Sequence, residues 1–345
     1  MFENLLAELR VLLDAPPWWL IAVLLLTGFA MLAKGADWFV GGSSLIARRL
    51  GVSGLVIGLT VVACGTSAPE VVVSGLAAYE GKVSLSLGNV LGSNIANVGL
   101  VLGASALILP KVLQTELSYR EVFWLVGSLA VLWYVASDGE IVRPEGALLV
   151  FLFVVYNAHV LITSRQESVQ EMEYEPETTH PIAWLLVGLG SILIGAKLAV
   201  MGAESAALRL GVPPSVVGLT VVAIGTSLPE LAAGLGAALK GQTDISLGNV
   251  IGSNVFNILA VMGIVVLVQP LDPAHPGIAD PDAVRDAFRL ALREDLYIVA
   301  GFSLAALLLP KIGGERSGRL RGFALLAAYA AYTYWLYSSR SGTAV

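Results

Sequence analysis

The sequence predicts an all-α polytopic membrane protein with ten transmembrane helices arranged as two inverted five-helix repeats. Three observations carry this. Of the 345 residues, 56% are hydrophobic and only 13% charged, with a mean hydropathy of +0.79, whereas a soluble domain carries roughly a quarter charged residues. Ten apolar segments are long enough to cross a bilayer, which takes about 20 residues. Residues 51–110 and 211–270 align without gaps at an offset of 160, with about half of the positions identical.

The elements follow in order. Met1–Leu13 carries Glu3, Glu8 and Arg10 and reads as a short amphipathic helix. It lacks the basic region and cleavage site of a signal peptide, so the first span is expected to be retained. Spans fall near 17–46, 54–79, 84–110, 118–137, 140–164, 181–208, 214–239, 244–269, 294–310 and 318–338. The first and sixth exceed the crossing length and are expected to tilt. Residues 1–164 hold spans 1–5 with the motif at 58–103, and residues 181–345 hold spans 6–10 with the motif at 218–263. Between them, the linker 165–180 contains Glu167, Glu171, Glu173, Glu175 and Glu177, a solvated charge run.

Five is odd, so the second half enters the membrane from the opposite side, and the repeats are related by a pseudo-two-fold axis in the membrane plane. Basic residues are slightly more numerous in loops on the linker side, among them Arg48, Arg49, Lys111, Arg120 and Lys240. The positive-inside rule therefore leans toward a cytoplasmic linker and outside termini. Residues 271–293, opened by Asp272, Pro273, Pro276, Gly277 and Pro281, read as a connector with a short interfacial helix over Ala283–Arg293. The single cysteine, Cys64, excludes an intrachain disulfide and has Ile224 as its counterpart, which suits packing. His159, His180 and His275 show no metal-ligand spacing.

The duplicated segments carry the chemistry. Gly-Leu-Thr-Val-Val-Ala recurs at 58–63 and 218–223, and Gly-Thr-Ser-x-Pro-Glu at 65–70 and 225–230. Ser-Leu-Gly-Asn-Val-x-Gly-Ser-Asn-x-x-Asn recurs at 86–97 and 246–257. In span 2 an apolar run meets Thr66, Ser67, Pro69 and Glu70, and the proline should break or kink the helix there. A break frees backbone carbonyls near Ala63, which inside a membrane must be satisfied by protein, water or an ion. Span 7 repeats this with Ala223, Thr226, Ser227, Pro229 and Glu230.

Spans 3 and 8 add Ser93 with Asn97 and Ser253 with Asn257, each pair at i, i+4 and so on one helix face. Two carboxylates, six hydroxyls and two carboxamides can then converge on one pocket. Oxygen ligands without thiolate or imidazole suit Na⁺, Mg²⁺, Ca²⁺ or Mn²⁺. Glu70 and Glu230, both ionised, are neutralised by one Ca²⁺, two Na⁺ or two protons, which is what an exchanger requires of a shared site. A third Na⁺ would make the exchange electrogenic.

Other polar or small residues have plainer readings. Gly88, Gly92, Gly99 and Gly103 suit close helix packing. Asn94 and Asn254 point away from the Ser–Asn face and are expected to bridge helices. Lys34 and Asp37 on span 1, and Lys197 and Glu204 on span 6, are expected to snorkel. Two intramembrane glutamates in identical kinked contexts instead mark an ion path.

Gly65-Thr-Ser-Ala-Pro-Glu70 and Gly225-Thr-Ser-Leu-Pro-Glu230 resemble the two α-repeat signatures of the calcium/cation antiporter superfamily. With the Gly-Ser-Asn segments they are most similar to its prokaryotic sodium/calcium exchanger branch. The resemblance is close over spans 1–3 and 6–8 and extends to spans 4, 5, 9 and 10 only in number and hydrophobicity. It implies ten helices around four central cation sites, with spans 1 and 6 sliding across the other eight. By position it makes Glu70 and Glu230 shared Ca²⁺/Na⁺ ligands. It assigns backbone carbonyls to Thr66, Thr226, Ala63 and Ala223, and side-chain oxygens to Ser67, Ser227, Ser93 and Ser253. Asn97 and Asn257 flank the central site. Potassium-dependent relatives carry Asp where this chain has Asn257, so the Asn97/Asn257 pair points away from K⁺ co-transport.

The expected function is a secondary active antiporter exchanging Na⁺ for Ca²⁺ by alternating access, K⁺-independent, in a prokaryotic-type inner membrane. H⁺ in place of Na⁺, or Mg²⁺ or Mn²⁺ in place of Ca²⁺, is the alternative within the same fold. A cation channel fits less well, because inverted repeats in one chain favour alternating access over a continuous pore. The sequence contains no His-Glu-x-x-His or comparable catalytic set, and it calls for no enzymatic activity and no cofactor. Expected partners are the lipid bilayer and the transported ions Ca²⁺ and Na⁺, with no nucleic acid and no obligate protein partner.

Overall fold

The computed structural model describes residues 16–115, 117–164, 179–212, 223–275, 280–312 and 317–340. The expected amphipathic helix at Met1–Leu13, residues 165–178 of the linker and the start of span 7 lie outside the described residues. Within them the chain is helical, apart from one antiparallel pairing of Ile141 with Leu271.

Helix α1 (Trp18–Leu50) follows Pro17 and ends at Gly51, whose φ of 67° is open to glycine and whose N–H returns to the carbonyls of Ala47 and Arg48. Its 33 residues measure about 50 Å, more than the membrane core needs. Helix α2 (Gly54–Thr66) and α3 (Ala68–Tyr79) form one span bent by 44°. Then come α4 (Val83–Ile108), α5 (Tyr119–Val135) and α6 (Arg143–Ser164). The second half has α7 (Pro181–Arg209), α8 (Ala223–Thr226), α9 (Leu228–Leu239) and α10 (Thr243–Val268). The chain closes with α11 (Pro281–Leu290), α12 (Leu296–Leu308) and α13 (Gly318–Arg340).

By length and composition α1, α4, α6, α7 and α10 can each cross a membrane, and the bent α2–α3 pair can form a sixth span. Their burial separates centre from rim. The apolar stretches of α4 and α10 are 72% and 89% buried, against 28% for α1 and 33% for α7. Helices α4 and α10 therefore form the core, and α1 and α7 lie across its outside.

Small residues set how α1 meets α7. A Cβ at Gly28 would come 2.7 Å from the Ala199 nitrogen, and one at Gly188 would come 2.4 Å from the Phe39 nitrogen. Gly28 and Gly188 differ by 160 positions, as do their partners Gly195 and Gly35. One backbone-to-backbone contact is thus made twice with the halves exchanged, as small-residue helix packing allows. In the core, Gly248 and Gly252 lie on the backbone of Leu55–Leu59. By the 160-residue offset, the partners of Gly88 and Gly92 would be residues 215–219, outside the described residues. Gly99 and Gly103 pack on α13, against Tyr329 and Leu326.

Two sequence expectations need correction. The connector helix begins earlier than Ala283, at Pro281, and runs through a wide turn (Ala291–Asp295) directly into α12. It buries Val284 and Phe288 beneath exposed pairs such as Arg285–Asp282. Asp37 is not the lone end residue expected from the sequence. It is paired with Lys34 on its own helix and with Lys240 at the end of α9.

Candidate functional site

The break between α2 and α3 lies at Ser67 (φ −83°, ψ 11°), and Pro69 occupies the first turn of α3, where its missing N–H removes no helical bond. Glu70 is next, still in that first turn, with the positive end of the helix dipole beneath it. The second copy repeats the arrangement with Ser227, Pro229 and Glu230 at the start of α9. Both carboxylates are fully buried.

Wide helical turns surround this break. One covers Gly58–Val62, just before Ala63. Others start at Asn97 in α4 and at Asn257 in α10. Such turns disturb the regular backbone pattern and are frequent at functional sites. The Tyr156 hydroxyl, from α6, donates to the Leu59 carbonyl within the first of them at 3.2 Å.

The structure brings the two copies together here. Ser67 Oγ donates to Glu230 Oε1 at 2.7 Å, and Ser93 Oγ lies 3.5 Å from Glu70 Oε1. Asn97 Nδ2 donates to Asn254 Oδ1 at 3.0 Å, joining α4 to α10. Thr66 Oγ1 lies 3.2 Å from Asn249 Oδ1, and in the exchanged contact Thr226 Oγ1 lies 3.3 Å from Asn89 Oδ1. Thr66, Ser67, Ser93, Asn97, Thr226, Ser227, Ser253 and Asn257 are all buried, as is Ala63. Ala223 opens α8, in the place that Ala63 takes before Thr66.

Asn89 and Asn249 are members of the site that sequence reasoning did not single out. The available signal was their spacing. Each precedes its serine, Ser93 or Ser253, by four residues and so shares the inward face. Asn249 also donates through Nδ2 to the Glu230 carbonyl at 3.3 Å, whereas Asn89 Nδ2 donates to Ser74 Oγ at 2.9 Å. The expectation for Asn94 and Asn254 holds for one of the two. Asn254 bridges the helices, accepting from Asn97 and donating to the Asn94 carbonyl at 3.4 Å. It is thereby an immediate neighbour of the site, while the Asn94 side chain has no hydrogen-bond partner among the described residues.

Unmet polar atoms gather at this place. Among the described residues, Glu70 Oε2, Glu230 Oε2, Ser227 Oγ, Ser253 Oγ, Asn97 Oδ1 and both amide atoms of Asn257 are buried without a partner. Buried polar atoms are seldom left unpaired in native proteins. Among the described residues no Lys or Arg is paired with Glu70 or Glu230. Two uncompensated buried carboxylates cost several kcal/mol each, so the pocket calls for positive charge. Its donors are hydroxyl, amide, carboxylate and backbone oxygens, the ligands of hard cations.

Comparison with known proteins agrees with this chemistry. The family described as sodium/calcium exchanger protein matches residues 20–162 and 180–338. A protein named CaxA from Alkalimonas amylolytica is 39% identical over 329 residues, covering 92% of this chain and 98% of the relative. The inner membrane protein YrbG of Escherichia coli K12 is 33% identical over 331 residues, covering 92% and 98%. A solved structure of the sodium-calcium exchanger NCX_Mj, soaked with Na⁺ and no Ca²⁺, superposes with a TM-score of 0.72 at 34% identity, covering 91% of this chain and 98% of that one. With family, relatives and fold in agreement, the chain belongs to the sodium/calcium exchanger family of membrane cation antiporters.

Proposed function

We propose that this antiporter exchanges Na⁺ for Ca²⁺ by alternating access, without K⁺, through a single pocket shared by its two copies. The observation that carries the reading is the pair Glu70 and Glu230, buried without basic partners among the described residues and linked across the copies by the Ser67–Glu230 hydrogen bond. Their charge of −2 is balanced by one Ca²⁺ or by two Na⁺. Each load fills the pocket while excluding the other, and the empty, doubly charged pocket is the least able to pass through a dehydrated intermediate.

In this reading Glu70 and Glu230 ligate Ca²⁺ and Na⁺ directly. Ser67, Ser227, Ser93 and Ser253 supply hydroxyl oxygens, and Ala63, Ala223, Thr66 and Thr226 supply backbone carbonyls. Asn97 and Asn257 flank the central position as neutral amides, and their neutrality supports K⁺ independence. The chain crosses an inner membrane ten times as two inverted units, 1–164 and 181–345, with the linker 165–180 in the cytoplasm and the termini outside.

Isotope flux in proteoliposomes tests this. An imposed Na⁺ gradient should drive uphill ⁴⁵Ca²⁺ uptake with no requirement for K⁺, and Glu70→Gln or Glu230→Gln should abolish it. Full uptake in either variant would overturn the assignment of the site. Uptake driven by a pH gradient with no Na⁺ present would replace Na⁺ by H⁺ as the coupling ion.

A further inference from the structure

Outside the pocket, one ion pair ties the outer helices to the core. Lys240 Nζ, at the end of α9, lies 2.6 Å from Asp37 Oδ1 on α1 and donates to the Asp37 backbone carbonyl at 2.8 Å. Lys240 is largely buried, with 11% of its side chain accessible. Beside this contact α1 packs along α9, and a Cβ at Gly236 would come 2.9 Å from Ala36 Cβ.

The 160-residue offset gives each of these residues a counterpart. Asp37 corresponds to Lys197 on α7, and Lys240 corresponds to Glu80 at the end of α3. The acid and base have changed places, so the exchanged pair, Lys197 with Glu80, is again complementary. In this structure that second pair is open. Glu80 is bonded to Lys82 at 2.7 Å, Lys197 is exposed, and α7 has no packing on α3 comparable to that of α1 on α9. Leu76, the counterpart of Gly236, is 57% exposed.

We infer that Asp37–Lys240 and Lys197–Glu80 are alternating latches, each closed in one of the two access states and open in the other. The inference rests on the alternating-access reading above. Whichever latch is open, its acid keeps a local cation. Asp37 Oδ2 is held by Lys34 at 2.9 Å, and Glu80 by Lys82. The counterparts of those two lysines are Ile194 and Gln242, which are uncharged and do not compete for the acids' partners. Opening a latch therefore strands neither carboxylate, which lowers the cost of releasing it. Written twice with acid and base exchanged, the pairing gives each half of an inverted repeat the same contact to make in turn.

Disulfide trapping of the full-length protein in proteoliposomes tests this, in a Cys64→Ala background. Ala36→Cys with Gly236→Cys reports the state described here, and the counterpart pair Leu76→Cys with Ala196→Cys reports the other. Asp37→Asn or Lys240→Gln should slow the 36–236 cross-link and speed the 76–196 cross-link, each by about two- to five-fold for a single partly accessible ion pair. Lys197→Gln or Glu80→Gln should shift both in the opposite sense. The charge-reversed double variant, Asp37→Lys with Lys240→Asp, should bring both rates back toward the parent from those of Asp37→Lys alone, less the Lys240 bond to the residue-37 carbonyl that Asp cannot make.

Equal effects of all four substitutions on both cross-links, no effect, or failure of the reversal would overturn the latches. Na⁺-driven Ca²⁺ uptake by the parent protein is measured in parallel. Normal uptake with unmoved cross-links removes the latches alone. Shifted cross-links without uptake support the latches and overturn the ion assignment.

Discussion

Ser67 Oγ donates to Glu230 Oε1 at 2.7 Å, a bond between residues 163 positions apart. Its counterpart is not made. Ser227 Oγ has no partner among the described residues, and Glu70 is approached instead by Ser93 at 3.5 Å. Two copies of the same Gly-Thr-Ser-x-Pro-Glu motif thus take different geometries. The difference runs in the same sense as that between α1 on α9 and α7 on α3, so a single asymmetry extends from the rim to the buried acids.

Removing the Ser67 hydroxyl should separate these two geometries. A hydrogen bond to a charged group contributes about 1.5–3 kcal/mol, and each 1.4 kcal/mol is about ten-fold in affinity. Ser67→Ala should therefore raise the Ca²⁺ concentration for half-maximal Na⁺-driven uptake by at least about ten-fold. Ser227→Ala, assayed from the same membrane side, should have the smaller effect. Equal effects would show that the observed bond does not set the affinity of this state.

The site was legible in the sequence because its residues are written twice in register, inside segments where lipid excludes unpaired polarity. Glu70, Glu230 and the flanking hydroxyls needed no long-range information to be noticed. Asn89 and Asn249 stood in the same duplicated string, yet nothing local distinguishes an amide that crosses to Thr226 or Thr66 from one that packs within its own half. Asp37 looked like a snorkelling end residue because its partner, Lys240, lies 203 positions away. The wide turns at Gly58, Asn97 and Asn257 were also hidden, since one extra residue in a helical turn leaves an apolar stretch looking unbroken. The connector helix was displaced by two residues because Pro281 opens it as a first-turn residue.

The α1–α7 crossing should tolerate no side chain at its contact. A methyl group at Gly188 would lie 2.4 Å from the Phe39 nitrogen and 2.8 Å from the Gly35 carbonyl, both backbone atoms that cannot turn aside. Overpacking of this kind costs typically about 1–3 kcal/mol. Gly188→Ala should lower the thermal unfolding midpoint in detergent and slow transport. Gly190→Ala, two residues along with no described atom within 4 Å, should do neither.

Glu121 fastens the start of α5. Its carboxylate lies 2.6 Å from Arg120 with both side chains nearly buried, and it accepts from the Ser118 backbone N–H at 2.7 Å. Glu121→Ala removes the ion pair and the cap together. Breaking a buried pair costs about 3–5 kcal/mol, so this variant should show one of the larger losses of thermal stability in the protein. An unchanged unfolding midpoint would mean that Arg120, which also donates to Thr163 at 2.7 Å, is held without Glu121.

Asn249 should govern cation affinity through Thr66. The Thr66 hydroxyl has one proton and several acceptors in reach, among them the Val62 carbonyl at 3.1 Å, Asn249 Oδ1 at 3.2 Å and the Ala63 carbonyl at 3.4 Å. Donation to Asn249 leaves the Ala63 carbonyl free to face a cation, and the Asn249 amide holds the Glu230 carbonyl at 3.3 Å. In Asn249→Ala the proton returns to the α2 carbonyls, and Ca²⁺ affinity should fall by about ten-fold, as expected for one hydrogen bond of about 1–1.5 kcal/mol. Thr66→Val removes the same bond from the other side and keeps the Thr66 backbone carbonyl. If both act through that one contact, the double variant should be weaker than either single variant by far less than the product of their effects. Strict additivity in the half-maximal Ca²⁺ concentration would separate the two residues and leave Asn249 with only its bond to the Glu230 carbonyl.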